Sequence, residues 1–213
     1  MKNAVLGIAL GLAVTAGAAR AANVVEQASA RTDSGRIASY SFTLAPLPFV
    51  KFCMNNATEC QPVAGSDEPT AAMLVRMEEI NREVNRGISP KRKPTEPLLT
   101  NWTVAPGTGD CNDYAVTKRH RLIAAGWPSS RVLLAAVVTS EGQGHLVVVA
   151  RTAAGDLVLD NLTDSVKAWN KTSFDWISMQ SEDNPRFWVA VGERGRLRQQ
   201  RLQALADGAS ISR

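Results

Sequence analysis

Residues 132–160 read VLLAAVVTSEGQGHLVVVARTAAGDLVLD. Three apolar, β-branched runs, Val132 to Thr139, His145 to Ala150 and Leu157 to Asp160, are separated by the turn signals Glu141-Gly142-Gln143-Gly144 and Thr152 to Asp156. That punctuation predicts an antiparallel meander. In a hairpin whose loop has an even number of residues, paired positions sum to an odd number, and positions 145 and 160 satisfy this. The side chains of His145 and Asp160 are then expected on one face. A turn at Ala153-Ala154 would pair His145 with Leu162, which leaves Asp160 at a two-residue diagonal, within side-chain reach. An odd loop or a bulge would undo the inference.

Upstream lies Gly109-Asp110-Cys111-Asn112-Asp113-Tyr114-Ala115. A glycine turn and an acidic cap predict a helix start, and the helix should run through Tyr114, Ala115, Ile123 and Ala125 until Gly126 and Pro128 stop it. Its Lys118, Arg119 and Arg121 read as the wet face. Cys111 would occupy the first turn, at the positive end of the helix, a position that favours thiolate. The alternative is a small buried hydrophobe. If this helix start abuts the strand opening on His145, then Cys111, His145 and Asp160 form a nucleophile, its base and the carboxylate that orients the base. His120 is a rival base, but nine residues along the same helix at 1.5 Å each place it about 13 Å from the thiol.

Around this centre, Met73, Leu74, Met77, Ile80 and Val84 recur at helical spacing and predict an amphipathic helix over 67–86, ended by Gly87. Ser89 to Pro97 reads as a solvated loop. Ala22 to Ser66, punctuated by Pro46, Pro48, Pro62 and Gly65, reads as mostly irregular, with one strand near Ala38 to Thr43. Further β-like pieces around Trp176 to Ser178 and Phe187 to Val191 should complete the sheet. Residues 193–213 form a basic tail with a thin stripe of Leu197, Leu202 and Leu205, either a surface helix or a frayed end. The fold class expected is α+β.

The amino terminus sets the compartment. Met1-Lys2-Asn3 and an apolar run from Ala4 to Ala16 lead to small residues suited to cleavage, so residues 1–22 read as a secretory signal. An uncleaved anchor is the alternative, but the apolar run is short for a span of about 20 residues. Residues 23–192 then make one domain. In an exported chain Cys53 and Cys60, with six residues between them, are expected to bridge, leaving Cys111 as the odd thiol. A metal site is the competing use, yet the other soft ligands are only Cys111, His120 and His145. Of 24 basic residues two leave with the signal, against 20 acidic ones, so nucleic acid is not expected as a partner.

The motifs Gly109-Asp110-Cys111-Asn112-Asp113-Tyr114, the strand opening on His145, and Leu157-Val158-Leu159-Asp160-Asn161-Leu162 resemble those of the bacterial transglutaminase-like cysteine peptidases. That family includes LapG-type periplasmic proteases that clip surface adhesins. The resemblance implies a papain-like, transglutaminase-like fold, with the nucleophile's helix packed on an antiparallel sheet, and a catalytic set of Cys111, His145 and Asp160. It implies a protein substrate, such as a surface adhesin, in the periplasm or outside the cell, and a regulatory protein at the inner membrane. No cofactor is needed for the chemistry. Relatives carry acidic residues beside the cysteine that bind calcium; the corresponding set here is Asp110, Asn112 and Asp113, with an amide in place of one carboxylate. The reaction expected is peptide hydrolysis through a thioester. Transglutaminase or amidase acyl transfer with the same triad is an open alternative, as is a non-catalytic binding module.

Overall fold

The computed structural model describes residues 35–211, apart from 66, 67, 95, 97 and 98. The expected secretory signal, residues 1–22, lies outside the described residues. Among those described, no helix is long and apolar enough to cross a membrane.

In chain order the elements are β1 (Ser39–Thr43), α1 (Leu47–Asn55), a 3-10 turn (Ala57–Cys60), α2 (Ala71–Gly87), β2 (Ser89–Pro90), β3 (Thr108–Gly109), α3 (Cys111–Ala124), β4 (Val132–Val138), β5 (Gly144–Thr152), β6 (Gly155–Leu159), β7 (Lys167–Ala168), a second 3-10 turn (Trp169–Lys171), β8 (Asp175–Gln180), β9 (Trp188–Val191) and α4 (Gly192–Ile211). Seven strands make one sheet in the order β1-β9-β8-β4-β5-β6-β7, every neighbouring pair antiparallel. Strands β2 and β3 form a separate parallel pair just before the cysteine. The class is α+β, with helices packed on a large antiparallel sheet.

Strand β4 is central, and both its faces are buried. Val132 and Leu134 join the cluster that holds Phe49 of α1, Met77 of α2 and Tyr114 of α3, while Leu133, Ala135 and Val137 join Met179, Val189 and Val191 on the other side. Two-sided burial is why this stretch reads as an unbroken apolar run instead of an alternation. The β5–β6 hairpin pairs Thr152 with Gly155, Ala150 with Leu157 and Val148 with Leu159. Its loop is Ala153-Ala154, the even loop that the parity argument requires.

Helix α1 departs from the irregular reading of the amino-terminal stretch. Pro48 lies in its first turn, where a proline lacks only a donor that would be unpaired anyway, and Phe49 and Phe52 face the core. The Cys53–Cys60 disulfide ties the last turn of α1 to the 3-10 turn. Helix α2 starts at Ala71, four residues later than expected, because the Thr70 hydroxyl caps it by accepting from Met73 N at 3.2 Å.

Helix α3 also departs from its expected amphipathic form. Asp113 through Arg119 are all buried, Lys118 and Arg119 included, because the helix lies between the sheet and α2; its exposed residues are His120, Arg121 and Ala124. At the carboxy terminus, α4 packs on β8, β1 and β9 through a close approach at Gly195, where a Cβ would lie 2.8 Å from the Ala190 carbonyl carbon. Leu197, Leu202 and Leu205 are exposed.

Candidate active site

Cys111 is the first residue of α3, half-buried and outside the disulfide. Asp110 caps the helix: its side chain accepts from Asn112 N at 3.1 Å, and Asp110 N in turn donates to Asp113 Oδ2 at 2.9 Å, a reciprocal capping box. Gly109 is required by close approach, since a Cβ there would sit 2.7 Å from Asp113 Cβ. Asp113 is fully buried and also fastens the preceding loop. Its Oδ1 accepts from Lys93 Nζ at 2.6 Å and from Thr103 N at 2.8 Å. Lys93 Nζ also donates to the Asn101 carbonyl. The helix start that carries Cys111 is therefore fixed by sequence on both sides of the cysteine.

Strand β5 brings His145 to this point, and Asp160 follows the end of β6. His145 Nε2 and Asp160 Oδ1 are 2.7 Å apart, both groups are buried, and the imidazole lines the same cleft as Cys111. With Nε2 engaged by Asp160, Nδ1 is the ring nitrogen left for the thiol. Burial alone pushes the imidazole down, but the Asp160 hydrogen bond and the negative charge offered by Asp160 and Cys111 outweigh it and raise His145 to about 9. Burial likewise pushes Asp160 up, yet the His145 bond and charge hold its carboxyl below the usual carboxylate range. The Phe174 ring rests 5.7 Å from the imidazole, centroid to centroid.

Asp160 is itself held. Its Oδ1 accepts a second bond from Leu162 N at 3.1 Å, and Asn85 Nδ2 of α2 donates to the Asp160 carbonyl at 3.1 Å and to the Thr163 carbonyl at 3.0 Å. The amides of Asn81 and Asn85 reach on to Asp164. These asparagines stand one helical turn apart, a spacing visible in the sequence, but nothing there says what such a pair would clasp. His120 is elsewhere, bonded through Nδ1 to Glu59 Oε1 at 2.7 Å.

A cleft of about 380 Å³ opens over the thiol, walled by Pro46, Pro48, Pro94 and Trp102 and floored by Gly144 and His145. A second, of about 320 Å³, is lined by Asp160, Phe174, Thr139 and Lys167. His145 borders the first and Asp160 the second.

In the donor set read as a cation site, Asp110 and Asp113 are engaged by protein groups. Both Asp113 oxygens are taken by Lys93, Thr103 and Asp110, and an ammonium already neutralises that carboxylate. Asp110 Oδ1 accepts from Asn112 N and Asn112 Nδ2. Among the described residues there is no group of three His, Cys, Asp or Glu side chains that could hold a metal ion.

A free cysteine opening a helix packed on an antiparallel sheet, with a buried His–Asp pair beside it, is the plan of the papain-like and transglutaminase-like cysteine enzymes. Residues 39–196 match the family described as bacterial transglutaminase-like cysteine proteinase, BTLCP, and the chain belongs to that family. It is accordingly a cysteine peptidase, a hydrolase acting on protein. Solved structures similar to it include Legionella pneumophila LapG, at 19% identity over 75% of this chain and 88% of that one with a TM-score of 0.47. The calcium-bound form of Legionella pneumophila LapG is 18% identical over 84% of this chain and 98% of that one, with a TM-score of 0.48. The EGTA-treated form is 16% identical over 75% and 91%, with a TM-score of 0.47. No curated protein sequence matches the chain.

Proposed function

We propose that the protein is an exported cysteine peptidase that cleaves an amide bond in a periplasmic or cell-surface protein, with Cys111 as nucleophile, His145 as base and Asp160 as orienter. The observation that carries this reading is His145, bonded to Asp160 at 2.7 Å and lining a solvent-open cleft together with Cys111. Cys111 sulfur attacks the carbonyl carbon as its proton passes to His145, which then delivers that proton to the departing amine. Water enters, gives a proton to His145 and cleaves the thioester, and the thiol recovers its proton. Asp160 stays ionised throughout and holds the imidazolium.

The developing oxyanion needs donors. In the first turn of α3 the Asn112 and Asp113 N–H groups are already bonded to Asp110, so the Cys111 N–H is the first candidate. The second is the Trp102 indole N–H, which is buried without a hydrogen-bond partner on a residue that walls the cleft.

The family resemblance suggests a surface adhesin as substrate and an inner-membrane protein as regulator. Export is supported by the amino-terminal sequence and by a disulfide that an oxidising compartment sustains. Calcium enters only as a weak ligand: with Asp113 withdrawn, Asp110 and Asn112 supply too few oxygens for a tight site. Calorimetric titration is expected to find no calcium affinity tighter than about 10⁻⁴ M.

The deciding experiment compares surface and secreted proteins of a wild-type and a Cys111→Ala strain for new amino termini. Wild-type cells should show at least one cleavage that the variant lacks. Identical termini in both strains would sink the proposal, and incorporation of an amine with release of ammonia would replace hydrolysis by transamidation.

A further inference from the structure

The cavity of about 320 Å³ that borders Asp160 has no part in the bond-breaking steps. Its walls come from the β4–β5 turn, the loop after β6, and the run from β7 through the second 3-10 turn to Phe174. The loop after β6 is pinned backbone. Asn85 Nδ2 donates to the Asp160 and Thr163 carbonyls at 3.1 and 3.0 Å, Leu162 N donates to Asp160 Oδ1 at 3.1 Å, and Ser165 N donates to Thr163 Oγ1 at 3.2 Å. A concave site on fixed backbone is ready for a ligand before the ligand arrives. Lys167 and Lys171 line it, and among the described residues neither side chain has an ion-pair or hydrogen-bond partner. Of the carboxylates in the lining, Asp160 is matched by His145 at 2.7 Å, while Glu141 accepts from Ser140 Oγ at 2.8 Å. Two ammonium groups facing one unmatched carboxylate leave the cavity positive.

Which half of a substrate would reach this cavity follows from the path of the proton. The acyl half stays on the Cys111 sulfur, in the cleft under Pro46 and Pro48, whereas the amine half takes its proton from His145 and so leaves across the imidazole. Phe174 packs on that imidazole at 5.7 Å between ring centroids and also lines the cavity. At about 3.3 Å per extended residue, about two residues of chain cover that step. We propose that the cavity receives the departing half of the cut polypeptide, and that Lys167 and Lys171 select a carboxylate at about the second or third residue after the cleaved bond. This rests on the peptidase reading above. Neither lysine borders the cleft over Cys111, so both act on which chain is cut and not on the reacting atoms.

The test starts from the new amino termini that separate a wild-type from a Cys111→Ala strain. Those termini should carry Asp or Glu at the second or third position, or end there on the terminal carboxylate of the chain, which would serve the same lysines. In a strain carrying Lys167→Glu and Lys171→Glu together, the same cuts should fall about tenfold, the size expected when two surface attractions become repulsions. Changing the acidic residue of the cleaved protein to Lys should slow the wild type about as much and restore cutting by the double variant. Termini without a carboxylate at those positions overturn the proposal, and so do cuts that the double variant makes at the wild-type rate.

Both lysines are exposed, so the double variant should fold. Should it not, the substituted target decides by itself, because it is offered to the wild-type protein: an unchanged rate overturns the proposal. Cutting of the natural target by the purified wild type should also weaken as salt rises, since exposed charges are screened over about 8 Å at physiological ionic strength. The same comparison separates this inference from the reading beneath it. If no terminus distinguishes the wild type from Cys111→Ala, the peptidase reading fails; if such termini exist but ignore the lysines, only the role of the cavity fails.

Discussion

At the residue scale, the proposed mechanism puts the largest functional weight on the hydrogen bond between His145 and Asp160. Replacing Asp160 by Asn keeps the shape but removes the charge that holds the imidazolium, and should lower hydrolysis by about a hundredfold or more while leaving the chain folded. The same pair has a stability signature. His145 titrates at about 9 in the folded chain against 6.5 when unperturbed, so the stability it contributes is complete below pH 6.5 and disappears as pH rises through 9. Lys118 has the opposite sign. Its folded value of about 7 lies below the ordinary 10.5, so the cost of burying its charge is full below pH 7 and is relieved as pH climbs toward 10.5. Urea denaturation across pH should therefore fall off more steeply between pH 7 and 9 in Lys118→Met than in the wild type. The sequence exposed the cysteine, histidine and aspartate because each sits in a local pattern with a chemical meaning. Lys118 was not legible in that way: a lysine between a threonine and an arginine on a predicted helix reads as solvated, and only the packing of α3 against the sheet and α2 shows otherwise.

At the scale of elements, the start of α3 is over-determined. Asp110, Asp113, Lys93 and Thr103 all converge on the turn that presents the thiol, and Gly109 leaves the room they need. Gly109→Ala should destabilise the protein by about 1–3 kcal/mol, measured by chemical denaturation, and should slow Cys111 alkylation because the helix start must shift. A variant with unchanged stability and unchanged alkylation would show that the turn yields freely. The β5–β6 hairpin was readable down to its register because a period of two and a two-residue loop leave little freedom. Helix α1 was missed for a different reason: Pro46 and Pro48 act as loop markers in a linear reading, whereas in space they introduce a helix whose Phe49 and Phe52 enter the core.

At the scale of the whole molecule, the sheet order places β8, β9 and β1 on one side of β4 and the His145 and Asp160 strands on the other. That crossover is invisible in local sequence, since it depends on which strand edges are free when the chain returns. The disulfide acts at this scale too. Closing a loop with a sequence separation of 7, it should contribute about 2 kcal/mol through the unfolded chain. Reduction is expected to lower Tm by about 4–8 °C in calorimetry; an unchanged Tm would mean that the bond constrains little. Arg119 connects this staple to α3, donating from Nη1 to the Glu59 carbonyl at 2.6 Å and from Nε to the Val132 carbonyl at 3.0 Å.

The cleft over Cys111 has walls of separate origin. Pro46 and Pro48 stand at the head of the disulfide-stapled α1, Pro94 and Trp102 on the loop fastened by Asp113, and the floor belongs to the sheet. On the proposed function, the proline wall, and with it the choice of polypeptide, can therefore change while Cys111 and His145 stay in place. On that reading, replacing Pro46 or Pro48 changes which chain is cut and leaves how it is cut untouched.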